Sequence, residues 1–492
     1  MKYVDLLAFD LGASNGRGMI GRFDGEKITL DRVSGFENNF IPQGDLGYWD
    51  VPHILKNLKI AFQQAKAQGY DPACFGIDTW GVDYGLLDGQ GELIENPRAY
   101  RCATDEEMED AWKLMDKRAM FERTGIAALN FNTVYQLYRR VRDNDAALKK
   151  AEKVLMMPDL LGYHLSGEAA TEYTIASTSG LMDVHTHTWS PEIMKALGIP
   201  ETLFTPIDRA GTLRGHLRAD IADSLGVSRV PYAAVGCHDT ASAVAAIPGE
   251  GNFAFCSSGT WSLFGVETDA PVLSDFVYHS NFSNEGTVQG GFRPLKNIMG
   301  LWLIQECRRV WTQEVGVKYS WPEIQAMARV TPPLQSIVDP DEPRFFTAGD
   351  MPAKIQAYCR ETGQKVPETI GEISRTVYES LALKYRWALE RLGEIRGQAI
   401  ESLNIVGGGT QNPLLNQMAA DATGLPITVG PIEGAALGNT LMQAQALGLI
   451  KDIGEARAVV RNSVETRLYE PNTTQQWLDA YEKLKQLMEA AT

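Results

Sequence analysis

The first part of the chain alternates short apolar segments with polar turns, as strands do. The apolar segment Tyr3–Phe9 runs into Asp10 and a glycine-rich turn. Two further segments, Gly18–Arg22 and Lys27–Val33, flank a second turn. This pattern predicts a strand, a tight loop and a hairpin, and not a strand that is followed directly by a helix.

Helical periodicity begins after this predicted hairpin. Apolar side chains at helical spacing predict an amphipathic helix over Val51–Gln68, and a short buried strand is expected at Ala73–Asp78. The charged segment Thr104–Arg123 predicts one helix that ends at Thr124-Gly125. Far along the chain, Thr473–Ala490 predicts a helix with one apolar stripe. The stripe consists of Trp477, Tyr481, Leu484 and Met488.

The sequence contains a short internal repeat. After the turn residues Pro248–Gly251, the segments Asn252–Cys256 and Trp261–Val266 predict two strands around a small-residue turn. The heptapeptide Ala8–Ser14 is similar to Ala254–Thr260 at an offset of 246 residues, half of the 492-residue length; the similarity is short, and a chance resemblance is the alternative. Two halves that each open with a strand, a loop and a strand predict a duplicated α/β unit.

Composition and charge exclude several classes of protein. Hydrophobic residues make up 44% of the chain and charged residues 22%, which is typical of a globular protein. With 46 basic and 62 acidic residues, the net charge is −16. Because such a chain repels phosphate backbones and anionic lipids, we expect no nucleic-acid partner and no membrane partner.

Cysteine usage and apolar runs bear on the compartment. The six cysteines include no CxxC pair and are too few for a disulfide framework, so reduced thiols are expected. Asp5 lies where a signal peptide would begin its apolar core, and the uncharged run Gly434–Ile450 is typical of a buried helix. These features predict a cytoplasmic protein. His185 and His187 lack a third metal ligand nearby in the sequence, so a surface turn is expected there.

The glycine-rich turn Asp10–Arg17 is the first segment that can carry chemistry. Its small residues expose backbone N–H groups that can surround phosphate oxygens, Asp10 can hold Mg²⁺ through water, and Arg17 can neutralise phosphate charge. A plain hairpin turn is the alternative. Gly12–Gly16 also fits the GxSxG elbow of serine hydrolases. That elbow requires a following helix and several preceding strands, whereas a hairpin is predicted here.

Asp239 is the second candidate. It follows the apolar strand predicted at Val230–Val235, and the small residues after it open a helix. Because α/β proteins bind ligands at the carboxyl ends of their strands, a carboxylate at this place can accept a proton from a substrate hydroxyl. The alternative is that Asp239 only caps the helix Thr240–Val244.

Two loops are candidates for binding a nucleotide or its phosphates. The strand predicted at Ser402–Val406 leads into the glycines of Val406–Pro413, and a helix is expected over Leu414–Thr423. Glycines let a flat ligand lie against the backbone, and a helix N-terminus favours anionic groups. Ser257–Thr260 is the second candidate phosphate loop. A plain turn is the alternative at both places.

Taken together, eight segments in chain order resemble the FGGY carbohydrate kinases, within the sugar kinase–actin–Hsp70 fold superfamily. The segments are Asp10–Arg17, Gly76–Asp83, Phe131–Leu137, Leu155–Asp159, His238–Val244, Ser257–Ser262, Lys296–Leu303 and Val406–Asn412. The resemblance implies an α/β fold of two RNase H-like domains with a ligand cleft between them. Residues 1–246 would carry the sugar and phosphate side, and residues 247–492 the nucleotide side.

The resemblance also implies an activity and a set of residue roles. The activity is ATP-dependent phosphorylation of the 1-hydroxyl of the ketose L-rhamnulose, with ATP and Mg²⁺ as cofactors and Asp239 as the general base. The sugar would be lined by Gly81, His238, Thr240 and Asn297, with Trp80 on its apolar face. The phosphates would meet Ala13, Ser14, Asn15, Gly16, Arg17 and Thr260, the nucleotide would lie on Gln305 and Gly408, and Asp10 would attend Mg²⁺.

Three positions depart from the commonest family pattern. Many members have a hydroxyl residue in place of Asn15, which puts a side-chain contact there in doubt and leaves a backbone contact intact. Many members outside the rhamnulose group carry Lys in place of Gln136, and Gln or Asn in place of Thr240. Both differences favour rhamnulose over xylulose or glycerol. A related ketose such as L-fuculose, or a non-catalytic nucleotide-binding protein of the same fold, are the alternatives.

Overall fold

The computed structural model describes residues 3–490, which divide into two compact units. The first unit contains the chain up to Pro248 together with Glu267–Pro294 and Gly434–Val464. The second contains Gly249–Val266, Leu295–Glu433 and the chain from Glu465 onward. The packed units are therefore discontinuous, whereas the predicted division was a single cut after residue 246.

Within residues 3–490 the strands have these bounds. They are β1 (Val4–Leu11), β2 (Asn15–Phe23), β3 (Ile28–Glu37), β4 (Phe40–Gln43), β5 (Leu46–Trp49), β6 (Pro72–Thr79), β7 (Tyr84–Leu87), β8 (Lys153–Met156), β9 (Thr171–Glu172), β10 (Met182–Asp183), β11 (Thr188–Trp189), β12 (Ile207–Asp208), β13 (Thr212–His216), β14 (Pro231–Ala234), β15 (Phe253–Ser258), β16 (Trp261–Gly265), β17 (Ser283–Gly286), β18 (Phe292–Met299), β19 (Ser402–Val406), β20 (Ile427–Val429) and β21 (Arg467–Tyr469).

The α-helices of the same residues have these bounds. They are α1 (Val51–Ala67), α2 (Asp105–Trp112), α3 (Lys117–Thr124), α4 (Thr133–Arg142), α5 (Ala146–Lys150), α6 (Met157–Ser166), α7 (Tyr173–Ala176), α8 (Pro191–Leu197), α9 (Ala219–Leu225), α10 (Asp239–Ala245), α11 (Asp275–His279), α12 (Trp302–Val315), α13 (Trp321–Val330), α14 (Met351–Glu361), α15 (Ile370–Arg396), α16 (Pro413–Thr423), α17 (Gly434–Ala446), α18 (Ile453–Ser463) and α19 (Gln475–Ala490). None of these helices combines the length and apolar character that a membrane crossing requires.

The first unit is built on a six-stranded sheet in the order β13-β14-β6-β1-β2-β3. Strand β1 is antiparallel to β2 and parallel to β6, and β6 is parallel to β14. Both faces of β1 are buried: Leu7, Phe9 and Leu11 pack into one apolar cluster with α1, and Leu6 packs into another on the opposite side. Burial on both faces explains why Leu6–Phe9 is a continuous apolar run.

The second unit repeats this strand arrangement. Strand β15 is antiparallel to β16 and parallel to β19, and β19 is parallel to β20. On the other side, β16 is antiparallel to β18 through residues 295–299. Strands β20, β19, β15, β16 and β18 thus correspond to β14, β6, β1, β2 and β3. The duplicated α/β unit predicted from the repeat is confirmed.

The helix predicted over Thr104–Arg123 is wrong as one helix, because the structure has two, α2 and α3. Asp116 starts the second helix: its side chain accepts hydrogen bonds from the backbone N–H groups of Arg118 and Ala119. An N-cap of this kind satisfies donors that a continuous helix would use internally. The predicted end is confirmed, with Gly125 at φ 64° closing α3.

Helix α10 lies against α17 at a position where only glycine fits. A Cβ added at Gly438 would lie 1.8 Å from the carbonyl oxygen of Ser242. We therefore expect Gly438→Ala to push the two helices apart and to destabilise the fold by about 1–3 kcal/mol, the usual cost of overpacking a core. A lower melting temperature in thermal unfolding followed by circular dichroism checks this.

The matched control is Gly393→Ala in the interior of α15. A Cβ there meets nothing closer than 3.5 Å, and alanine is the better helix former by about 1 kcal/mol. We expect its melting temperature to equal or exceed that of the parent chain. Equal melting temperatures for the two variants would contradict the packing argument.

Candidate active site

Carboxylates gather at the carboxyl ends of three neighbouring strands of the first unit. Asp10 near the end of β1 is the register partner of Asp78 on the parallel strand β6. The next residue, Thr79, donates its backbone N–H to the carbonyl oxygen of Cys237 at 2.9 Å. Asp239, two residues after Cys237, is the first residue of α10. The structure therefore brings the predicted residues Asp10 and Asp239 to one sheet edge, with Asp78 between their strands.

Asp78 is the most strongly perturbed of these carboxyl groups. Burial raises its pKa well above the usual range, and the nearby charge of Asp10 raises it further. The side-chain amide of Asn439 donates to Oδ2 at 2.6 Å and opposes this shift. The other oxygen, Oδ1, is buried without a hydrogen-bond partner among the described residues. A carboxyl group in this state favours a proton or a cation beside it.

Asp239 remains open to a ligand. Its side chain is 31% exposed, and Nε2 of His238 lies 3.5 Å from Oδ1. The hydroxyl of Thr240 donates to the same oxygen at 3.1 Å. Burial of the group raises the pKa of Asp239 above its ordinary value, and the charge of His238 opposes that shift. Since His238 occupies the N-cap position of α10, the alternative that Asp239 only caps the helix is wrong.

The loop between β1 and β2 carries the predicted phosphate-binding residues. Arg17 is the register partner of Asp10 and pairs with its Oδ2 through Nη2 at 2.8 Å and Nε at 3.1 Å. Ser14 and Asn15 are exposed, and Ala13 is half-buried. The loop thus presents exposed residues to solvent beside an arginine.

Gly16 has a packing reason to be glycine. An added Cβ would lie 2.5 Å from the ring of Phe36 and 2.6 Å from Leu11. Gly16 is buried in β2. Because glycine has no side chain, Phe36 and Leu11 can pack directly against the backbone at this position.

Trp80, next to Gly81, is held by a buried carboxylate. Oδ2 of Asp83 accepts hydrogen bonds from the indole N–H of Trp49 at 2.6 Å and that of Trp80 at 2.8 Å. The two indole rings lie 4.6 Å apart. Gln136 donates to the other oxygen of Asp83 at 3.3 Å. Trp80 is only 6% exposed, so this clamp fixes its ring inside the protein.

Val82 holds the backbone next to Gly81 in a strained conformation. Its φ is 69°, a region that β-branched residues rarely adopt. Its carbonyl oxygen accepts the hydroxyl of Thr133 at 2.6 Å, and its N–H donates to the hydroxyl of Thr178 at 3.2 Å. Strain that neighbouring contacts maintain in this way is concentrated at functional sites.

In the second unit, two predicted nucleotide residues meet. The hydroxyl of Thr260 donates to Oε1 of Gln305 at 3.3 Å. The predicted turn Ser257–Thr260 is shorter than expected, because β15 extends through Ser258 and only Gly259 and Thr260 turn.

The glycine loop lies at the same sheet edge, since Ser257 of β15 is the register partner of Val406. A Cβ at Gly409 would lie 1.9 Å from the hydroxyl of Ser258, and one at Gly407 3.0 Å from its carbonyl oxygen. Gly408 is exposed, and a Cβ there would meet nothing within 4 Å. Of the three glycines 407–409, only Gly408 therefore has open space next to its backbone.

Asn297 lies on β18 as the register partner of Leu263. Its side-chain Oδ1 is buried without a hydrogen-bond partner among residues 3–490. An acceptor in this state is costly unless a ligand or water satisfies it.

Two family models match the chain one after the other. The N-terminal domain of the FGGY family of carbohydrate kinases matches residues 6–246, and the C-terminal domain matches residues 254–447. The chain belongs to the FGGY family of carbohydrate kinases. The resemblance inferred from the eight sequence segments is confirmed, and the protein is a phosphotransferase with an alcohol group as acceptor.

Curated relatives of this FGGY kinase match over nearly their whole length. A rhamnulokinase of Bacteroides thetaiotaomicron is 41% identical over 479 residues, which cover 97% of this chain and 98% of the relative. A rhamnulokinase of Bacillus subtilis is 39% identical over 466 residues, which cover 94% and 95%.

Solved structures share the fold. The ligand-bound xylulose kinase from Lactobacillus acidophilus matches with a TM-score of 0.80 at 15% identity, covering 100% of this chain and 98% of that one. Glycerol kinase from Plasmodium falciparum with ADP matches with a TM-score of 0.76 at 14% identity, covering 99% and 97%. The predicted two-domain α/β sugar-kinase fold is confirmed.

Sequence reasoning missed several residues of the site in this kinase. Asp78 and Asp83 belong to the segment Gly76–Asp83, which supported the resemblance. Asp78 lies at the end of β6 and Asp83 follows it, and a carboxylate in such a position is the sequence signal that could have identified both. Glu285 and Arg293 lie in contact with His238. They are 47 or more residues away along the chain, and no local pattern marks them.

The buried carboxyl of Asp83 makes a test of the clamp possible. Burial raises its pKa to about 6, and the hydrogen bonds from Trp80 and Trp49 oppose that shift. Because the folded state binds the proton more tightly, stability falls as the pH rises through about 6, by about 3 kcal/mol in total. Asp83→Asn keeps an acceptor for the indoles and does not ionise. We expect its melting temperature to gain on the parent chain between pH 4 and pH 7.

Asp45→Asn, at an exposed position, is the control and should follow the parent at every pH. Parallel melting curves for Asp83→Asn and the parent across this range would show that the carboxyl group does not titrate inside the clamp.

Proposed function

We propose that this protein transfers the γ-phosphoryl group of ATP to the 1-hydroxyl of L-rhamnulose, giving L-rhamnulose 1-phosphate in L-rhamnose catabolism. The observation that carries the substrate is the near-full-length similarity to relatives named rhamnulokinase, at 41% and 39% identity. The position of Asp239, partly exposed among the strand ends, supports the chemistry.

In the proposed reaction, Asp239 accepts the proton of the 1-hydroxyl as that oxygen bonds to the γ-phosphorus. The bond between this phosphorus and the bridging oxygen breaks, and ADP leaves. Such a transition state is loose, so positioning and charge neutralisation contribute most of the rate. The hydrogen bond from Thr240 to Oδ1 of Asp239 fixes the carboxylate for this transfer.

The proposal assigns the sugar to a group of polar and aromatic residues. The buried, unpartnered Oδ1 of Asn297 supports a contact with a sugar hydroxyl. Trp80 is almost covered, so only the small exposed part of its ring would meet the sugar's apolar face. The assigned residues are Trp80, Gly81, His238, Asp239, Thr240 and Asn297.

The proposal assigns the nucleotide to two loops. The exposed backbone of the β1–β2 loop, with Arg17 beside it, suits phosphate oxygens. The open surface of Gly408 suits the flat part of a nucleotide, and the Thr260–Gln305 contact lies at the end of the neighbouring hairpin. The assigned residues are Ala13, Ser14, Asn15, Gly16, Arg17, Thr260, Gln305 and Gly408. Residues 1–246 would thus carry most of the contacts to the sugar and the phosphates, and residues 247–492 the rest of the nucleotide together with the contacts of Asn297 and Thr260.

Mg²⁺ fits the carboxylates of the first unit. Asp10 supplies the hard oxygen that Mg²⁺ prefers, and the unpartnered Oδ1 of Asp78 leaves negative potential beside it. We propose that Asp10 holds the ion through water. When bound, Mg²⁺ neutralises phosphate charge. Arg17, which pairs with Asp10 at 2.8 Å, would then share its charge between this carboxylate and the phosphates. We place the reaction in the cytoplasm, since six unpaired cysteines suit a reducing compartment.

Replacing the proposed base tests the proposal. We expect Asp239→Asn to lower kcat on L-rhamnulose by about 10²- to 10⁴-fold with little change in fold, because the amide cannot accept the proton. Activity of the parent should also fall toward acid pH as Asp239 is protonated. ADP release from ATP and Mg²⁺ is measured with L-rhamnulose, L-fuculose, L-ribulose, D-xylulose and glycerol.

Asp220→Asn is the matched control, because Asp220 also lies in the first turn of a short helix, α9. It should keep full activity. If the enzyme prefers a different ketose, the substrate assignment changes to that ketose, and the protein remains a kinase of this family. No ketose-dependent ADP release from the parent chain would overturn the proposal in favour of a nucleotide-binding protein.

The open glycine tests the nucleotide assignment. Gly408→Ala adds a methyl group where the protein has free space, so we expect an intact fold. The KM for ATP should rise about tenfold, which corresponds to about 1.4 kcal/mol, while the KM for the sugar stays within twofold. Gly89→Ala, at another exposed glycine with room for a Cβ, should change neither constant. An unchanged KM for ATP in Gly408→Ala would remove Gly408 from the nucleotide site.

A further inference from the structure

A buried ion network lies behind His238. Nδ1 of His238 lies 3.1 Å from Oε2 of Glu285, and Nη2 of Arg293 lies 3.0 Å from the same oxygen. Nη2 of Arg293 also lies 3.2 Å from Nδ1. Arg293 is fully buried, and the Glu285 side chain is 9% exposed. On the opposite side of the ring, Nε2 faces Oδ1 of Asp239 at 3.5 Å.

The backbone around this network is fixed from both sides. Nε of Arg293 donates to the carbonyl oxygen of Gly286 at 2.8 Å, and the N–H of Gly286 donates to the hydroxyl of Ser177 at 2.7 Å. The N–H of His238 donates to the hydroxyl of Thr174 at 3.1 Å. These hydrogen bonds hold the backbone of His238 and of Gly286, next to Glu285, in place on either side of the network.

Two groups meet Nδ1 of His238: the Glu285 oxygen at 3.1 Å and Nη2 of Arg293 at 3.2 Å. A guanidinium only donates, and an ionised carboxylate only accepts. Nη2 of Arg293 already donates to the Glu285 oxygen at 3.0 Å, whereas a lone pair on Nδ1 would face that oxygen with repulsion. A proton on Nδ1 turns this contact into a charge-assisted hydrogen bond. Burial opposes ionisation of Glu285, but the interactions with His238 and Arg293 outweigh it and lower its pKa.

The network is not explained by stability alone. Burying ions costs free energy that pairing repays only in part, so a buried ion pair is weak evidence for a stabilising role. Nη1 of Arg293 is also buried without a hydrogen-bond partner among the described residues. His238 connects the network to the partly exposed Asp239.

We propose that Glu285, held by Arg293, is a positioning residue that keeps the proton on Nδ1 of His238 and directs Nε2 toward Asp239 and the sugar. This inference rests on the proposed function for the role of Asp239. The charge of His238 opposes the rise in the pKa of Asp239 that burial causes. The charged groups that face this pair are Glu285 and Arg293 on the side of His238, and Asp10 and Asp78 on the side of Asp239. Behind the pair lies Glu172, whose carboxylate accepts the N–H of Cys237 at 3.1 Å.

The first measurement reads the tautomer directly and does not depend on turnover. Long-range ¹H–¹⁵N correlation spectra of the full chain with ¹⁵N-labelled histidine report seven imidazoles, and His238→Gln identifies the signal of His238. We expect a protonated Nδ1 in the parent chain at pH 7 to 8. A neutral ring protonated only on Nε2 would overturn the proposal, whatever sugar the enzyme accepts.

The second measurement is kinetic. Glu285→Gln removes the charge and allows either tautomer, so kcat on L-rhamnulose should fall by about 10- to 100-fold, as when other orienting partners of histidines are lost. The KM for ATP should stay within twofold. The acid limb of kcat/KM should move to higher pH, because an imidazole that is no longer oriented by a carboxylate favours the ionised form of Asp239 less. Glu285→Asp, which keeps the charge, should recover part of the rate.

Glu107→Gln is the matched control. Glu107 is likewise buried and paired with an arginine, Arg139, at 3.0 Å, and it should leave kcat and the pH profile unchanged. A lower kcat in Glu285→Gln without a shift of the acid limb would reduce Glu285 to a structural role and overturn the proposal. If the parent turns over no ketose, the proposed function fails, and the tautomer measurement still decides the position of the proton.

Discussion

The parallel pairing of β6 with β1 and β14 is the constraint on which the rest of the first unit depends. Parallel strands end at the same edge of a sheet, so residues that follow different strands come to lie side by side. Asp10, Asp78 and Asp239 meet in this way. Like charges at such spacing repel, and the surrounding structure is organised to compensate them through Arg17, His238 and the amide of Asn439.

Compensation of buried charge also explains how the segment before α10 is held. The carboxyl group of Glu172 accepts hydrogen bonds from the backbone N–H of Cys237 at 3.1 Å and from the hydroxyl of Thr174 at 2.5 Å. Burial raises the pKa of Glu172 to about 7, against these hydrogen bonds. Close packing of Gly438 against Ser242 then fixes the helix itself. The buried carboxyl group of Glu172 and the absence of a side chain at Gly438 thus determine the position of Asp239.

The two copies of the α/β unit have diverged at the ends of their central strands. Where β1 carries Asp10, the matching position of β15 carries Cys256, whose thiol is buried and has its pKa raised to about 12. The first copy therefore presents negative charge at this point, and the second presents a neutral surface with open glycine backbone at Gly408. This difference suits a cation and a reacting hydroxyl in the first unit and a nucleotide in the second.

The sequence by itself determined the elements whose signals are local. Continuous apolar runs, helical stripes and turn residues predicted β1, the β2–β3 hairpin, α1, β19 and α16, because each depends on neighbours along the chain. The break between α2 and α3 was missed, since a capping aspartate inside a charged segment resembles any other charged residue. The family resemblance supplied Asp239 and the loop residues, whose roles remain proposals.

Only the tertiary structure decided which distant residues share an environment. Glu285 and Arg293 reach His238 through strands far along the chain, and Trp49 reaches Asp83 across 34 positions. The assignment of Gly434–Val464 to the first unit is also a tertiary result. Burial, hydrogen bonding and charge at these positions arise from packing between segments, and no local pattern of apolar and polar residues records which segments will pack together.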